Sequence, residues 1–135
     1  MNYVIDTNII TALMKKDLRI KAKLQQMVIR GKEVFISAMS YYEIKRGLLA
    51  AAAKKRLGVF HQMCGQLGIL YLDNLEIFET ASEIYADLKR EGRPIGDADI
   101  LIAATALTQN LIVVSDDSDF ERIRNIILEN WLAGE

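Results

Sequence analysis

The sequence predicts an α/β domain built on a mostly parallel central sheet flanked by helices, and three observations predict it. Short β-branched runs alternate with longer helical patterns, the order that parallel strands joined by helical crossovers require. Gly31, Gly68 and Gly92 each follow a helical stretch, where a left-handed C-terminal residue is expected. Acids stand just past apolar runs, Asp6 after Tyr3-Val4-Ile5 and Asp117 after Leu111-Ile112-Val113-Val114. The carboxyl ends of parallel strands border the crevice in which open α/β sheets bind ligands.

The elements follow in order. Tyr3 to Asp6 is the first strand, with helical patterns from Ile9 to Lys16 and from Leu18 to Arg30 behind it. Val34 to Ser37 is the second strand. It leads to a helix from Tyr41 to Ala53, and Ser40 with Glu43 has the spacing of a capping box at its start. A helix from Lys54 to Leu67 ends at Gly68, and Ile69 to Leu72 is the third strand. Asp73-Asn74-Leu75-Glu76 has capping-box spacing ahead of a helix from Ile77 to Glu91. The only proline, Pro94, lies in the loop Gly92-Arg93-Pro94-Ile95-Gly96, which separates two helices. The most apolar helix, Ala98 to Thr108, opens beside Asp97 and Asp99, where free N–H groups favour negative charge. Asp97 is expected to cap it. Leu111 to Ser115 is the fourth strand, Ser118-Asp119-Phe120-Glu121 again has capping-box spacing, and a weaker strand lies near Ile126 to Leu128. With no linker, repeat or low-complexity segment, residues 1–135 read as one domain.

Composition excludes several classes of function. Apolar residues make up 51% and charged residues 26%, as in an ordinary globular protein, and no apolar stretch approaches the ~20 residues that cross a bilayer. The N-terminus lacks the basic and apolar segments of a signal peptide, and the lone Cys64 fits a reducing compartment, so a cytoplasmic protein is expected. A net charge of −1 argues against coating nucleic acid through bulk positive charge. It leaves room for a local basic rim, for which Lys45, Arg46 and Arg93 are the first candidates because they flank Glu43 and precede Asp99. His61 and Cys64 lie on one helical face, but no further Cys or His completes a zinc site. No Gly-rich phosphate loop follows the first strand.

The acids therefore carry the chemistry. Thr7 and Asn8 can themselves cap the first helix, which frees Asp6. Glu43 has a capping reading beside a functional one, and turn chemistry can use most of the acids in Ser115-Asp116-Asp117-Ser118-Asp119, with at least one to spare. If Asp6, Glu43, Asp99 and Asp117 converge, they repel one another unless a divalent cation neutralises them. An all-carboxylate set suits Mg²⁺ or Mn²⁺, whereas zinc and copper prefer nitrogen or sulfur.

Taken together, four ordered segments resemble PIN-domain ribonucleases, specifically the VapC-like toxins of prokaryotic toxin–antitoxin pairs. Val4-Ile5-Asp6-Thr7-Asn8-Ile9-Ile10 resembles the family's opening D-T-N segment, and Tyr42-Glu43-Ile44-Lys45-Arg46-Gly47 its E-x-x-x-G helix. Ile95-Gly96 with Asp99-Ile100-Leu101-Ile102-Ala103-Ala104 is similar to its I-G-x-x-D-x-x-I-A-A segment. Ser115-Asp116-Asp117-Ser118-Asp119-Phe120 is similar to its final [TS]-x-[DN]-x-x-F motif, and Glu129-Asn130-Trp131 also looks like family sequence.

The resemblance implies a PIN-like fold and a metal-dependent endoribonuclease that leaves a 5′-phosphate and a 3′-hydroxyl. It implies an acidic cluster of Asp6, Glu43, Asp99 and Asp117, with Asp6, Asp99 and Asp117 as metal ligands and Glu43 and Asp97 as further candidates. Thr7, Asn8 and Ser115 support the site. Relatives often carry asparagine where this chain has Asp117, so the site is expected to be unusually acidic. A homodimer and a cognate antitoxin are expected, the antitoxin placing an Arg or Lys among Asp6, Asp99 and Asp117. The alternatives are a housekeeping RNA-processing nuclease and a non-catalytic binding module on the same fold.

Overall fold

A computed structural model describes residues 1–133. The chain runs β1 (Asn2–Ile5), α1 (Thr7–Met14), α2 (Leu18–Ile29), β2 (Val34–Ser37), α3 (Ala38–Ala50), α4 (Lys54–Leu67), β3 (Ile69–Leu70), α5 (Leu75–Arg90), α6 (Asp97–Gln109), β4 (Leu111–Val114), a 3₁₀ turn (Ser118–Arg122) and β5 (Leu128–Glu129). The strands form one five-stranded sheet in the order β3-β2-β1-β4-β5, and every neighbouring pair is parallel.

The strand period of two divides the core between the sheet's faces. Tyr3 and Ile5 point into a layer with Ile9, Ile10, Ile20, Phe60 and Trp131, under α1, α2 and α4. Val4 points the other way, into Val113, Phe120 and the buried faces of α5 and α6. Because β1 is central, Val4 pairs with Phe35 on one side and Val113 on the other, and both of its faces are covered. Helix α6 is buried at Ile100, Ile102, Ala103, Ala104 and Ala106, apolar around most of its circumference as a core helix must be. Trimming Ile102, which is fully buried, to alanine is expected to cost about 2–5 kcal/mol.

Several expected boundaries move, each for a local reason. Ser37 rather than Ser40 caps α3, its hydroxyl accepting from the Met39 N–H at 3.2 Å, so the helix begins earlier and Ser40 lies inside it, fully buried. Asn74 rather than Asp73 caps α5, accepting from the Glu76 N–H at 2.9 Å. The cap of α6 is Gly96, without a side-chain bond, and Asp97 is the helix's first residue rather than its cap. The final capping box is displaced by one residue, since Asp117 caps the 3₁₀ turn. Strand β3 is two residues long, and β5 falls at Leu128–Glu129. Helix α5 stops where expected because Gly92, at φ 68°, takes the left-handed conformation that side chains disfavour. Asn110, at φ 55°, does the same between α6 and β4.

After β1 the chain turns to the face that holds Ile9 and Ile10, and after β4 to the face that holds Phe120. The carboxyl ends of these neighbouring strands therefore open a crevice at a topological switch point. Among the described residues, no helix is long and apolar enough to cross a membrane.

Candidate active site

Asp6 follows β1 directly and is only 5% exposed. Its N–H donates to the Val114 carbonyl at 2.8 Å, extending the β1–β4 pairing into the crevice. It occupies the N-cap position of α1 without making a side-chain cap bond, and its Oδ2 accepts from the Ser115 hydroxyl at 2.8 Å. Ser115 also accepts from the Asp117 N–H at 3.0 Å and from Asn8 Nδ2 at 3.4 Å, while Asn8 Oδ1 accepts from the Asp116 N–H at 3.2 Å. The end of β1 and the loop after β4 are thus laced together through Asn8 and Ser115.

Glu43 reaches the crevice from α3. The Thr7 hydroxyl donates to its Oε1 at 3.1 Å and lies 3.0 Å from Ser40 Oγ. Ser40 falls on the buried stripe Ser40, Ile44, Leu48, so the serine that sequence spacing assigned to a cap instead holds Thr7. The i, i+4 spacing of that stripe is the signal that identifies it.

Asp99 approaches from the first turn of α6. Asp117 follows β4, and its Oδ1 accepts from the Asp119 N–H at 2.9 Å, so one carboxylate both caps the 3₁₀ turn and faces the cluster. Asp99, Asp117 and Asp119 each bring a carboxylate oxygen within 4.8 Å of the others. Asp119 is the residue that sequence reasoning left among the turn acids. Its spacing of two from Asp117 across a tight turn is the signal that places it there. Asp116 is instead exposed and accepts from Asn130 Nδ2 at 2.9 Å.

The electrostatics join the cluster to the rest of the crevice. Burial pushes the Asp99 carboxyl up to about 7, and Asp6, Asp117, Glu43 and Asp119 add to the rise in that order. Burial also raises Asp6, opposed by the Ser115 hydroxyl and the Thr7 N–H and reinforced by Asp117 and Glu43. Asp6 and Glu43 thus lie near enough to act on Asp99, but the tight group is Asp99, Asp117 and Asp119, so the expected ligand Asp6 stands beside it and Asp119 joins it. Asp97 is exposed and stands outside this set.

Among the described residues, no Lys or Arg forms an ion pair with Asp6, Glu43, Asp99 or Asp117, and Arg122 pairs with Asp119. A crowd of carboxylates with so little cationic compensation, offering oxygen donors alone, fits a hard divalent cation.

The proposed basic rim is mixed. Lys45 Nζ donates to the Tyr41 hydroxyl at 3.0 Å and lies 5.3 Å from that ring's centroid, so it is tied to its own helix. Arg46 is exposed and stacks over Tyr42 at 5.0 Å, and Arg93 is exposed in the loop before α6.

Residues 3–126 match the PIN domain family. The chain is 28% identical to Ribonuclease VapC1 of Haemophilus influenzae strain R2866, over 97% of this chain and 98% of that one. It is 34% identical to VapC ribonuclease Y4jK of Sinorhizobium fredii, over 95% and 96%. The fold superposes on the 2.2 Å structure of VapBC-1 from nontypeable Haemophilus influenzae with a TM-score of 0.87 and 28% identity, covering 97% of this chain and 98% of that one. With the acids in place at the strand ends and the match running nearly end to end, the chain belongs to the PIN-domain family, among the VapC ribonucleases.

Proposed function

We propose that the crevice is the divalent-metal centre of an endoribonuclease that acts as the toxin of a toxin–antitoxin pair. The observation that carries the metal centre is the convergence of Asp99, Asp117 and Asp119 within 4.8 Å, with Asp99 held at about 7 by burial and by its acidic neighbours. The family supports ribonuclease chemistry, and the likeness to the VapBC-1 structure supports an antitoxin partner.

Asp99, Asp117 and Asp119 would hold Mg²⁺ or Mn²⁺, with Asp6 completing the anionic wall. When bound, such an ion supplies charge to stabilise the scissile phosphate and lowers the pKa of a water. The residues' own parts follow from their bonds. Ser115 fixes the Asp6 Oδ2 oxygen and so holds the carboxylate in place. Thr7 occupies one Glu43 oxygen, which leaves the second to orient a water or accept its proton. Hydrolysis adds the hydroxyl of water to phosphorus, breaks the P–O3′ bond and passes the proton of that water to the departing O3′, which leaves a 5′-phosphate and a 3′-hydroxyl.

RNA is the proposed substrate, held at an exposed rim to which Arg46 and Arg93 contribute. A basic side chain of the antitoxin among Asp6, Asp99 and Asp117 would block the site through charge-assisted hydrogen bonds. A homodimer is proposed on the exposed apolar side chains of α3 and α5, including Leu49, Phe78 and Tyr85. The proposed compartment is the cytoplasm.

The test is cleavage of a labelled RNA by purified protein with Mg²⁺, with EDTA, and by Asp6→Asn. Cleavage that needs the ion and Asp6 supports the reading. Equal cleavage by Asp6→Asn, or in EDTA, refutes it.

A further inference from the structure

Among the described residues, one cation pairs with this acidic group, and it bridges two segments. Arg122, at the end of the 3₁₀ turn, places one guanidinium nitrogen 3.2 Å from Asp119 Oδ1. Another of its nitrogens donates to the Pro94 carbonyl at 3.2 Å. Pro94 lies in the loop that leads through Gly96 into α6, whose first turn carries Asp99. Arg122 therefore ties the turn that presents Asp119 to the loop that launches Asp99. From Asp119 the bonds continue inward, its N–H to Asp117, the Asp117 N–H to Ser115, and the Ser115 hydroxyl to Asp6.

Physical chemistry gives this bridge a direction. Asp119 stands with Asp99 and Asp117 within 4.8 Å, and carboxylates at such spacing repel one another. A guanidinium on one carboxylate oxygen offsets the repulsion, fixes the plane of the group and leaves its second oxygen free. The planar fork of arginine contacts two acceptors at once, whereas the point charge of lysine satisfies one. Hydrogen bonds behind ligating carboxylates set metal affinity in this way.

We infer that Arg122 is a positioning residue of the acidic centre, holding Asp119 and the Pro94 loop in the relative geometry that gives a divalent cation its site. The inference rests on the metal-centre reading above. Arg122 acts through Asp119 and through the placement of Asp99, and it is not itself a ligand.

The neighbouring Arg124 supplies the control. It makes a second tie between the same two regions, to Glu91 at 3.3 Å, but its side chain is 81% exposed and its partner belongs to the end of α5, outside the acidic set. A merely structural requirement for stitching these segments together would weigh on both arginines.

The experiment measures Mn²⁺ binding by the electron paramagnetic resonance of the free ion, together with the melting temperature of the metal-free protein. The proteins compared are wild type, Arg122→Ala, Arg122→Lys, Arg124→Ala, Asp119→Asn and the Arg122→Ala/Asp119→Asn double variant. Arg122→Ala should bind Mn²⁺ about 10–100-fold more weakly. Arg122→Lys should recover part of that loss, and Arg124→Ala should match wild type. In the Asp119→Asn background the Arg122→Ala loss should shrink, because interacting groups are not additive. Unchanged or tighter binding by Arg122→Ala overturns the inference, as does an equal loss in Arg124→Ala or a loss that tracks a lowered metal-free melting temperature. Absence of binding by the wild type would instead refute the metal centre itself, so the two failures are distinguishable.

Discussion

On the β1–α6 side of the crevice, burial pushes Asp6 and Asp99 toward their protonated forms, and Asp99 reaches about 7. On the β4 side, Asp117 and Asp119 are half-buried and belong to a local hydrogen-bonded turn, with Arg122 at its end. The first pair is carried by the central strand and the most buried helix, so its charges are held in place by the core. The second pair is carried by a tight turn, so its charges are placed by short-range bonds. The contrast separates two requirements of a charged site. One wall supplies electrostatic demand for a cation, and the other supplies adjustable donors to meet it.

The largest effect that tests the contrast is on catalysis. Asp6→Asn and Asp99→Asn are expected to lower RNA cleavage by roughly 100-fold or more while the fold survives, because they remove preorganised charge that water cannot replace. Asp117→Asn and Asp119→Asn are expected to cost about 10-fold each, since an amide keeps the oxygen donor and most of the turn's bonding. Asp97→Asn, on an exposed helix start, should change little. Steady-state cleavage of one RNA by all five variants ranks them, and a turn acid that outweighs Asp99 breaks the comparison.

Proton linkage sharpens it next. Asp99 rises from its ordinary 3.8 to about 7 in the fold, so between these values the native state holds a proton that the unfolded chain has released. That favours the metal-free fold below about pH 4, and the stabilisation is lost as pH climbs through the native value near 7. Asp6, raised as well, acts with the same sign. The melting temperature of metal-free protein should therefore fall on going from pH 5 to pH 8, and Asp99→Asn should flatten the decline. A melting temperature that rises over that interval in wild type would contradict the assignment. Saturating Mg²⁺ should restore stability at the alkaline end, above the Asp99 value near 7.

The smallest effect lies on the rim. Arg46→Ala and Arg93→Ala should each weaken RNA binding and lower its salt slope by about one. Lys45→Ala should do less, because Lys45 is already bonded to Tyr41. Filter-binding titrations at several salt concentrations read the three slopes.

Much of this was legible in the sequence, for identifiable reasons. Asp6 and Asp117 stand directly after apolar strands, and the topology sends both strand ends to one edge. Gly92 marked the end of α5 because only a left-handed residue fits there. Asp119 was not legible, since an acid in Ser115-Asp116-Asp117-Ser118-Asp119 has equal claim to turn chemistry until the loop's path is known. Ser40 misled for the opposite reason: spacing alone matched a capping box, whereas the burial of α3 turns that serine toward Thr7. Asp97 was read as a cap, but Gly96 takes that position and leaves Asp97 exposed. In each case local pattern gave the residue's chemistry, and tertiary packing decided which partner it met.

The central claim is that Asp99 anchors a divalent cation among these acids. Calorimetric titration of Mn²⁺ at pH 6 into wild type and Asp99→Asn, repeated in two buffers of different ionisation enthalpy, tests it most directly. Wild type should bind Mn²⁺ and release a substantial fraction of a proton, because the ion displaces the one that Asp99 holds below about 7. Asp99→Asn should bind far more weakly and release almost none. Equal affinity and equal proton release by the two proteins would contradict the account.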